Sequence, residues 1–483
     1  MIATGWAGLA LLALALVLMM STGWATYAVL LGVSTLGAAL GLASGLIDFA
    51  VLGSLPGRII GLLEHDLLQA LALYALVGAL LHRMDLADQL YGGLRQLLRP
   101  LAPHGASALA GYGLGTLLAP MNGSVGASLI TLSRSAAPRW AADGMPPTRR
   151  ATLVAVASTL GVIVPPSLVL LLLGDAMLRA HTEGLNVARA LGTALATSNV
   201  RIVNTQDVLQ AALLPGALLW LGWLLLVMWG ARRDHPPATT GPRSERWAAI
   251  VVPLVICMLL VLVAIGRVRA VEAAATAGLA LLAWGAASRR LTWARLRLAL
   301  DDAMATTGAL FALLVAATTF SLLLRVFGTD RLVAQAMAAL QGQPIAATLV
   351  VMAALLACAF VLDAFELIFL VVPVVMPPLL AQVSDAAWVA TLTLLVLQAG
   401  FLLPPIGYAV VLARGQVLPR PGGWEMARTL APYLAWLAVV GAVVLLAPQT
   451  TRWLRSAPTD TAPASMNADD VDSLMRQMSK PSP

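Results

Sequence analysis

The sequence of 483 residues contains little charge: Asp, Glu, Lys and Arg make up 11% of it, whereas soluble domains carry about a quarter. Hydrophobic residues make up 60%, so a soluble protein is excluded. Lysine is almost absent, since Lys480 is the only one. The nucleotide-binding pattern Gly-x-x-x-x-Gly-Lys-[Ser/Thr] therefore does not occur, which excludes direct drive by ATP.

Residues that support metal or covalent chemistry are also scarce. The two cysteines, Cys257 and Cys358, lie far apart within apolar stretches, so neither a disulfide framework nor a zinc site is indicated. None of the five histidines has the spacing of a metalloenzyme motif. An intramembrane enzyme would need a nucleophile and a base within the spans, and no such arrangement is evident. We expect a protein that is not an enzyme and has no organic cofactor.

Long apolar runs dominate the rest of the chain, and one bilayer crossing needs about 20 such residues. The length therefore allows roughly ten to fourteen membrane-embedded segments. Simple spanning helices are predicted at residues 6–20, 27–43, 68–81, 209–229, 248–265, 271–287 and 432–447.

A polar, proline-containing stretch at 230–247 separates two halves, because such a stretch would leave backbone groups unsatisfied in hydrocarbon. Eight arginines lie in this linker and in the loop two spans later, against two in the loop between those spans. The positive-inside bias places the linker in the cytoplasm. We therefore predict two membrane halves, 1–229 and 248–449, and a tail, 450–483, that lacks apolar periodicity and is expected to be disordered.

Two connecting segments each have two interpretations. The amphipathic stretch 86–101 suits a helix lying in the membrane interface, or an ordinary connector. The polar stretch 179–207 is expected on the side opposite the linker, either as a partner-docking loop or as a solvated connection.

The most informative pattern is a repeat. Two uncharged windows, 151–174 and 386–413, each contain Gly-x-x-x-Pro-Pro, with Gly161 and Gly400 separated by 239 positions. Consecutive prolines remove two amide donors and clash with the preceding turn, so each helix must break there. The alternative is that Pro-Pro only kinks two ordinary spans.

A second interrupted segment precedes each window, at 119–128 and 360–369. Matched interrupted segments are typical of repeat-built secondary transporters, in which unwound carbonyl groups bind cations and helix N-termini face anions. We predict an all-α membrane protein: a polytopic helical bundle with two inverted repeats, each with a re-entrant hairpin and a helix broken by Pro-Pro.

At these segments the sequence resembles the large membrane subunit of tripartite ATP-independent periplasmic (TRAP) transporters, within the broader ion-transporter superfamily. The resemblance covers residues 67–447 and lies in NGSVGASLITLSR, ASTLGVIVPPSLVLLLLGD, VLDAFELIFLVVPVVMPP and QAGFLLPPIGYAVVLARG. It implies a multi-pass protein of the bacterial inner membrane that imports small organic acids by sodium symport with an elevator mechanism. The implied partners are a small four-helix membrane subunit and a periplasmic binding protein. The variants near both Pro-Pro pairs are most similar to the branch for 2-oxo acids, lactate and aromatic or mannitol-type carboxylates, and a dicarboxylate is also possible in the family.

The resemblance also implies functional residues. The Na⁺ ligands would be Ser124, Gly161, Val164, Pro166, Gly400 and Ile406. Substrate contact or coupling would involve Asn122, Gly123, Ser158, Thr159, Asp363, Glu366, Pro404 and Pro405.

Two departures from the family pattern affect the second half. Leu403 stands where the family commonly has threonine before Pro-Pro, and Ala359 stands where glycine is usual. Because Leu403 has no side-chain oxygen, the resemblance leaves the second sodium site weaker, rebuilt or absent, whereas ligation by the backbone carbonyl survives the change at Ala359.

Charges embedded in apolar sequence have two interpretations each. Asp363 and Glu366 are three residues apart and share one helical face, and burying a carboxylate in a membrane costs at least about 2.5 kcal/mol. They organise the second cation site or carry a proton, or else they cap the broken helix. Arg325 meets a substrate carboxylate through its bidentate fork, or snorkels at a helix end. A carrier that works alone or is coupled to protons, without a binding protein, remains the alternative function.

Overall fold

The computed structural model of the protein describes residues 2–63, 66–120, 124–164, 167–191, 202–232 and 243–453. These ranges form helices and connecting turns and contain no strand, which confirms the predicted all-α class. In the first half the helices are α1 (Ile2–Thr22), α2 (Thr26–Ala43), α3 (Phe49–Leu52), α4 (Leu55–Leu63), α5 (Asp66–Arg83), α6 (Leu86–Leu98), α7 (Ala106–Leu118), α8 (Val125–Ser135), α9 (Ala137–Ala142), α10 (Pro147–Thr159), α11 (Leu168–Leu191) and α12 (Thr205–Ala231). In the second half they are α13 (Arg243–Ala264), α14 (Ala270–Ala287), α15 (Trp293–Val326), α16 (Thr329–Ala338), α17 (Pro344–Cys358), α18 (Ala364–Glu366), α19 (Val372–Leu380), α20 (Ala386–Leu402), α21 (Tyr408–Gln416), α22 (Gly423–Leu446) and α23 (Gln449–Arg452).

Six of the described helices, α1, α2, α12, α14, α15 and α22, are long and apolar enough to cross a membrane. The count becomes seven if α5 and α6, which meet at a 71° bend, form one broken span. Every predicted span falls on a helix, because hydropathy in a bilayer selects segments that satisfy their own backbone groups.

The predicted interfacial stretch is helix α6. It leaves α5 through Asp85, whose backbone is left-handed with φ of 54°, and it buries Leu86, Leu90 and Tyr91 against α7 and α13. The helix itself is thus present, and its position in the membrane interface stays a prediction.

Two groups of helices organise the described part of the chain. The outer group comprises α1, α2, α4 to α6 and α13 to α16, and the inner group comprises α7, α8, α10 to α12 and α17 to α22. Between the groups, α6 lies against α7 and α16 lies against α19. Both hairpins and both broken helices belong to the inner group.

Most of two predicted segments lies outside the described residues, and a third segment differs from its prediction. Most of the predicted linker and tail, at 233–242 and 454–483, lie outside the described residues, while helices α12 and α13 occupy both ends of the linker stretch. The polar stretch from residue 179 is not a loop at first, because α11 continues to Leu191. Its polar side chains alternate with buried ones such as Ala180, Leu185 and Ala188, so an amphipathic helix replaces the expected loop over 179–191, while 192–201 lie outside the described residues.

Candidate transport site at two broken helices

The first hairpin, α7 and α8, meets the first broken helix through a glycine. A Cβ atom on Gly161 would lie 2.3 Å from the carbonyl oxygen of Ala119, which ends α7. Only glycine allows this approach without displacing backbone. Gly161, the glycine of the Gly-x-x-x-Pro-Pro pattern, therefore places the break directly against the hairpin tip.

A small cleft lies at this contact, with room for about one water-sized sphere. Its lining includes Ser124, Ser158 and Gly161, three of the predicted site residues. The Ser124 hydroxyl accepts a hydrogen bond from the Ala127 amide at 3.0 Å and so caps α8. The Ser158 hydroxyl donates to the Ala155 carbonyl at 2.9 Å. Both hydroxyl oxygens keep acceptor capacity beyond these bonds.

Freed carbonyl groups add to this set of oxygen atoms. In a regular helix the Gly161 and Val162 carbonyls would accept from residues 165 and 166, but both of these are proline and have no N–H. The 3₁₀ turn Leu160–Val162 ends α10, and Val164 is half-buried at the break. The predicted residues Asn122, Gly123 and Pro166 lie outside the described residues.

The second hairpin has the same plan. Helix α17 runs to the tip at Ala359, and α18 and α19, joined by a π-helical turn at Leu367–Val371, return from it. A Cβ atom on Gly400 would lie 2.4 Å from the Ala359 Cβ and 3.3 Å from its carbonyl oxygen. The two glycines thus contact equivalent residues of their hairpins, but in this half a methyl group makes the closest contact.

The two embedded carboxylates cap the returning helix. The Asp363 side chain accepts from the Glu366 amide at 2.9 Å, and the Glu366 side chain accepts from the Asp363 amide at 2.8 Å. The Thr26 hydroxyl, at the start of α2, donates to the other Glu366 oxygen. Capping, one of the two interpretations of this pair, is therefore what the geometry shows.

The second break offers fewer free oxygens. Helix α20 ends at Leu402, and the carbonyl of Leu403 accepts from the Gly407 amide at 2.8 Å. Because Leu403 has no side-chain oxygen, the freed Gly400 and Phe401 carbonyls are the remaining candidates. Ile406 is 51% exposed, and Pro404 and Pro405 lie beside it in the turn. Carbonyl groups alone would have to form a cation site here.

A buried hydrogen bond joins the two breaks. The Gln398 amide donates to the Thr159 hydroxyl at 2.7 Å, and both side chains are fully buried. The two residues occupy equivalent positions, each two residues before the glycine of its motif. Thr159 was predicted from the sequence and Gln398 was not, although an amide in an otherwise apolar helix, 239 positions after Thr159, was the available signal.

Each hairpin also packs on the broken helix of the other half. Helix α8 lies against α21, where a Cβ on Gly126 would approach the Tyr408 hydroxyl to 2.6 Å. Helix α19 lies against α11, where a Cβ on Gly184 would approach the Pro377 carbonyl oxygen to 2.9 Å. Because of this exchange, the hairpins and breaks form one packed unit.

The chemistry of the first site is that of oxygen atoms only. Within the described ranges no group of three or more His, Cys, Asp or Glu residues could hold a metal ion. Unwound backbone carbonyl oxygens coordinate Na⁺ in broken-helix transporters, and serine hydroxyl oxygens offer further acceptor lone pairs beside them. The lining of the first cleft fits such an ion, and the assignment of individual ligands stays a prediction.

Helices of membrane-spanning length around two hairpins and two broken helices define a membrane transporter. The fold agrees with that of a solved transporter, YdaH of Alcanivorax borkumensis, with a TM-score of 0.55 at 16% identity over 83% of this chain and 90% of that one. Residues 6–450 match the family described as tripartite ATP-independent periplasmic transporter, DctM component. The chain belongs to this family, a family of transporter membrane subunits, as the resemblance predicted.

Relatives carry the same family name. The C4-dicarboxylate TRAP transporter large permease protein DctM of Rhodobacter capsulatus is 26% identical over 30% of this chain and 31% of its own length. The 2,3-diketo-L-gulonate TRAP transporter large permease protein YiaN of Escherichia coli K12 is 23% identical over 60% of this chain and 64% of its own length. The matched part covers less than two thirds of either relative.

Proposed function

We propose that this chain is the large permease subunit of a TRAP-type secondary transporter that imports small organic acids by sodium symport. It would act in the bacterial inner membrane with a small four-helix membrane subunit and a periplasmic binding protein. The two relatives are named for a C4-dicarboxylate and for a diketo sugar acid, which supports a carboxylate substrate. A 2-oxo acid, lactate, a dicarboxylate and an aromatic or mannitol-type carboxylate all fit this class.

The main support for sodium coupling is the cleft at the first break. A sodium ion there would touch the hairpin through Ser124 and the broken helix through Ser158 and Gly161. The ion would hold the tip against the break only while it is bound. Sodium would thus order the hairpin that faces the substrate, which is the differential interaction that coupling requires.

The packing supports an elevator movement. The bond between Thr159 and Gln398 and the exchanged hairpin packing bind the inner group together. Helices α6 and α16 of the outer group contact the inner group, and each follows a residue with left-handed backbone, Asp85 with φ of 54° and Gly328 with φ of 76°. Rotation at these two residues would move the inner group, together with α6 and α16, past the rest of the outer group.

The test is uptake into proteoliposomes that contain this chain and its candidate small subunit, under an inward sodium gradient, with and without the binding protein. A labelled C4-dicarboxylate and a labelled 2-oxo acid serve as probes. Uptake that needs both sodium and the binding protein is expected. Uptake driven by a proton gradient without sodium, or without the binding protein, would contradict the proposal.

Such a contradiction would favour a proton-coupled or stand-alone carrier, for which one observation exists. The second break has no side-chain oxygen, because Leu403 stands where the family commonly has threonine. Two carboxylates, Asp363 and Glu366, lie nearby at the second hairpin tip. Loss of proton-driven uptake in Glu366→Gln, with exchange of labelled substrate across the liposome membrane retained when no proton gradient is applied, would identify that carboxylate as the proton carrier.

A further inference from the structure

A charged cleft lies between the two helix groups, away from the two Pro-Pro breaks. It has about 840 Å³ of empty space, and α4 and α15 on one side face α11 and α19 on the other. Its lining contains three arginines and two carboxylates: Arg58, Arg179, Arg325, Asp175 and Glu183. Each of the five is on a helix of the described chain, so the cleft is built from ordered elements.

Two of the arginines are neutralised within the cleft. Arg179 pairs with Asp175 at 2.8 Å, one turn apart on α11. Arg325, in the last turn of α15, pairs with Glu183 of α11 at 3.2 Å across the cleft. Among the described residues Arg58 makes no side-chain hydrogen bond or ion pair. The cleft therefore has one net positive charge, and it is on the Arg58 side chain.

The remaining lining suits a small organic anion. Thr318 and Ser321 lie on the face of α15 that leads to Arg325, and Ile368 and Phe369 of the second hairpin supply an apolar wall. An adjoining cleft of about 1040 Å³ adds Asp330 and Arg331, which leaves the charge balance unchanged. A guanidinium fork, hydroxyl groups and an apolar wall together recognise a carboxylate on a short carbon skeleton.

A second cleft at the other end of α15 has the same construction. It has about 830 Å³ of empty space and is lined by His82, Arg83, Asp85, Asp88, Arg134 and Arg295 among others. Arg83 pairs with Asp302 at 2.6 Å and Arg295 with Asp85 at 3.7 Å, whereas Arg134 has no partner among the described residues.

The two clefts open at opposite ends of one membrane-spanning helix. Thirty residues of α15 separate Arg295 from Arg325, about 45 Å at 1.5 Å per residue. This distance exceeds the roughly 30 Å of a hydrocarbon core. Since Arg295 belongs to the predicted cytoplasmic side, the Arg58 cleft faces the side from which substrate would arrive.

We propose that the Arg58 cleft is an access vestibule that binds the substrate carboxylate before it reaches the broken helices, with the free Arg58 guanidinium as its receptor. This site rests on the proposed function for the identity of the anion. The three arginines are separate in role: Arg179 and Arg325 hold their helices through carboxylates, and Arg58 contacts the ligand.

The experiment measures how strongly the cleft attracts anions over cations, and it does not depend on transport. A single cysteine is placed by Ser321→Cys in the full chain, with Cys257→Ala and Cys358→Ala. Its rates of modification by an anionic sulfonatoethyl and a cationic trimethylammonioethyl methanethiosulfonate are compared. We expect the anion to react faster, and Arg58→Gln to lower the anion-to-cation ratio roughly fivefold at low ionic strength.

The controls separate a binding site from general surface charge. Arg58→Lys should preserve the ratio, and Arg267→Gln, which removes an exposed charge from the loop between α13 and α14, should leave it unchanged. Succinate should slow modification in the parent and not in Arg58→Gln, at ionic strength matched with potassium chloride. If the Ser321→Cys chain does not fold, Thr318→Cys replaces it.

Three results would each contradict the vestibule proposal. The anionic and cationic reagents could modify the parent at equal rates, Arg267→Gln could lower the anion-to-cation ratio as much as Arg58→Gln does, or succinate could fail to slow modification of the parent. Failure of sodium-driven uptake in proteoliposomes, together with the expected modification ratios, would instead reject the proposed function and leave an anion-binding cleft. The two failures are therefore distinguishable.

Discussion

The contact between each motif glycine and its hairpin tip can be tested by adding one methyl group. In Gly400→Ala the new Cβ would lie 2.4 Å from the Ala359 Cβ, whereas carbon atoms pack at about 3.5 to 4.0 Å. The tip must therefore move by roughly 1 Å, and overpacking of this kind costs about 1 to 3 kcal/mol. The conversion of glycine to alanine in a helix offsets only about 0.5 to 1 kcal/mol of this.

The two halves should respond differently to a second change at the tip. Ala359→Gly removes the atom in contact with the new methyl group, so it should recover most of the stability lost in Gly400→Ala. In Gly161→Ala the closest atom is the Ala119 carbonyl oxygen at 2.3 Å, and Ala119→Gly leaves that oxygen in place. The coupling free energy should be about 1 kcal/mol or more for the first pair and near zero for the second.

The assay is unfolding in SDS followed by tryptophan fluorescence, with each single and double variant. Gly308→Ala is the matched control, because a Cβ there meets nothing within 4 Å and the change should be neutral or stabilising by up to about 1 kcal/mol. Equal free energies for Gly161→Ala, Gly400→Ala and Gly308→Ala would refute the tip contacts. If Ala119→Gly restored the stability lost in Gly161→Ala, the predicted difference in coupling free energy between the two halves would be refuted.

Three further changes follow from the site and the clefts. Thr159→Val should cost about 1 to 3 kcal/mol of unfolding free energy, because the buried Gln398 amide loses its acceptor, while Thr159→Ser should retain stability in the same SDS assay. Ser124→Ala should cost about 0.5 to 2 kcal/mol through loss of the helix cap and raise the sodium concentration for half-maximal uptake; an unchanged sodium dependence would remove Ser124 from the ion site. Arg134→Gln should lower the anion-to-cation modification ratio of a cysteine placed at Leu298, and a ratio that does not change would show that the second cleft does not select anions.

Local physics made several features predictable from the sequence. Apolar runs select helices in a membrane, because a helix satisfies its own backbone groups without water, and the predicted spans are helical for this reason. The Pro-Pro pairs that follow Gly161 and Gly400 lie where helices end, because each proline lacks an amide donor. Pro-Pro alone does not decide this, since Pro377 and Pro378 lie within the continuous helix α19. The Asp363 and Glu366 pair could be recognised as a possible cap since a spacing of three residues is that of a capping box. Family membership followed from the same short motifs.

Contacts between distant segments were decided only by the tertiary structure. The sequence placed Gly161 and Gly400 in matched motifs, but their contact with Ala119 and Ala359 depends on how each hairpin meets its broken helix. Gln398 was missed because a buried amide is recognisable as paired only when its partner, 239 positions away, is adjacent in space. Arg58 is an ordinary arginine in the sequence, and its free charge becomes apparent only when α11 and α15 supply partners for the other two arginines of the cleft. Composition and spacing determine which helices form and where they break, whereas packing between segments far apart in the chain determines which polar groups remain free to bind a ligand.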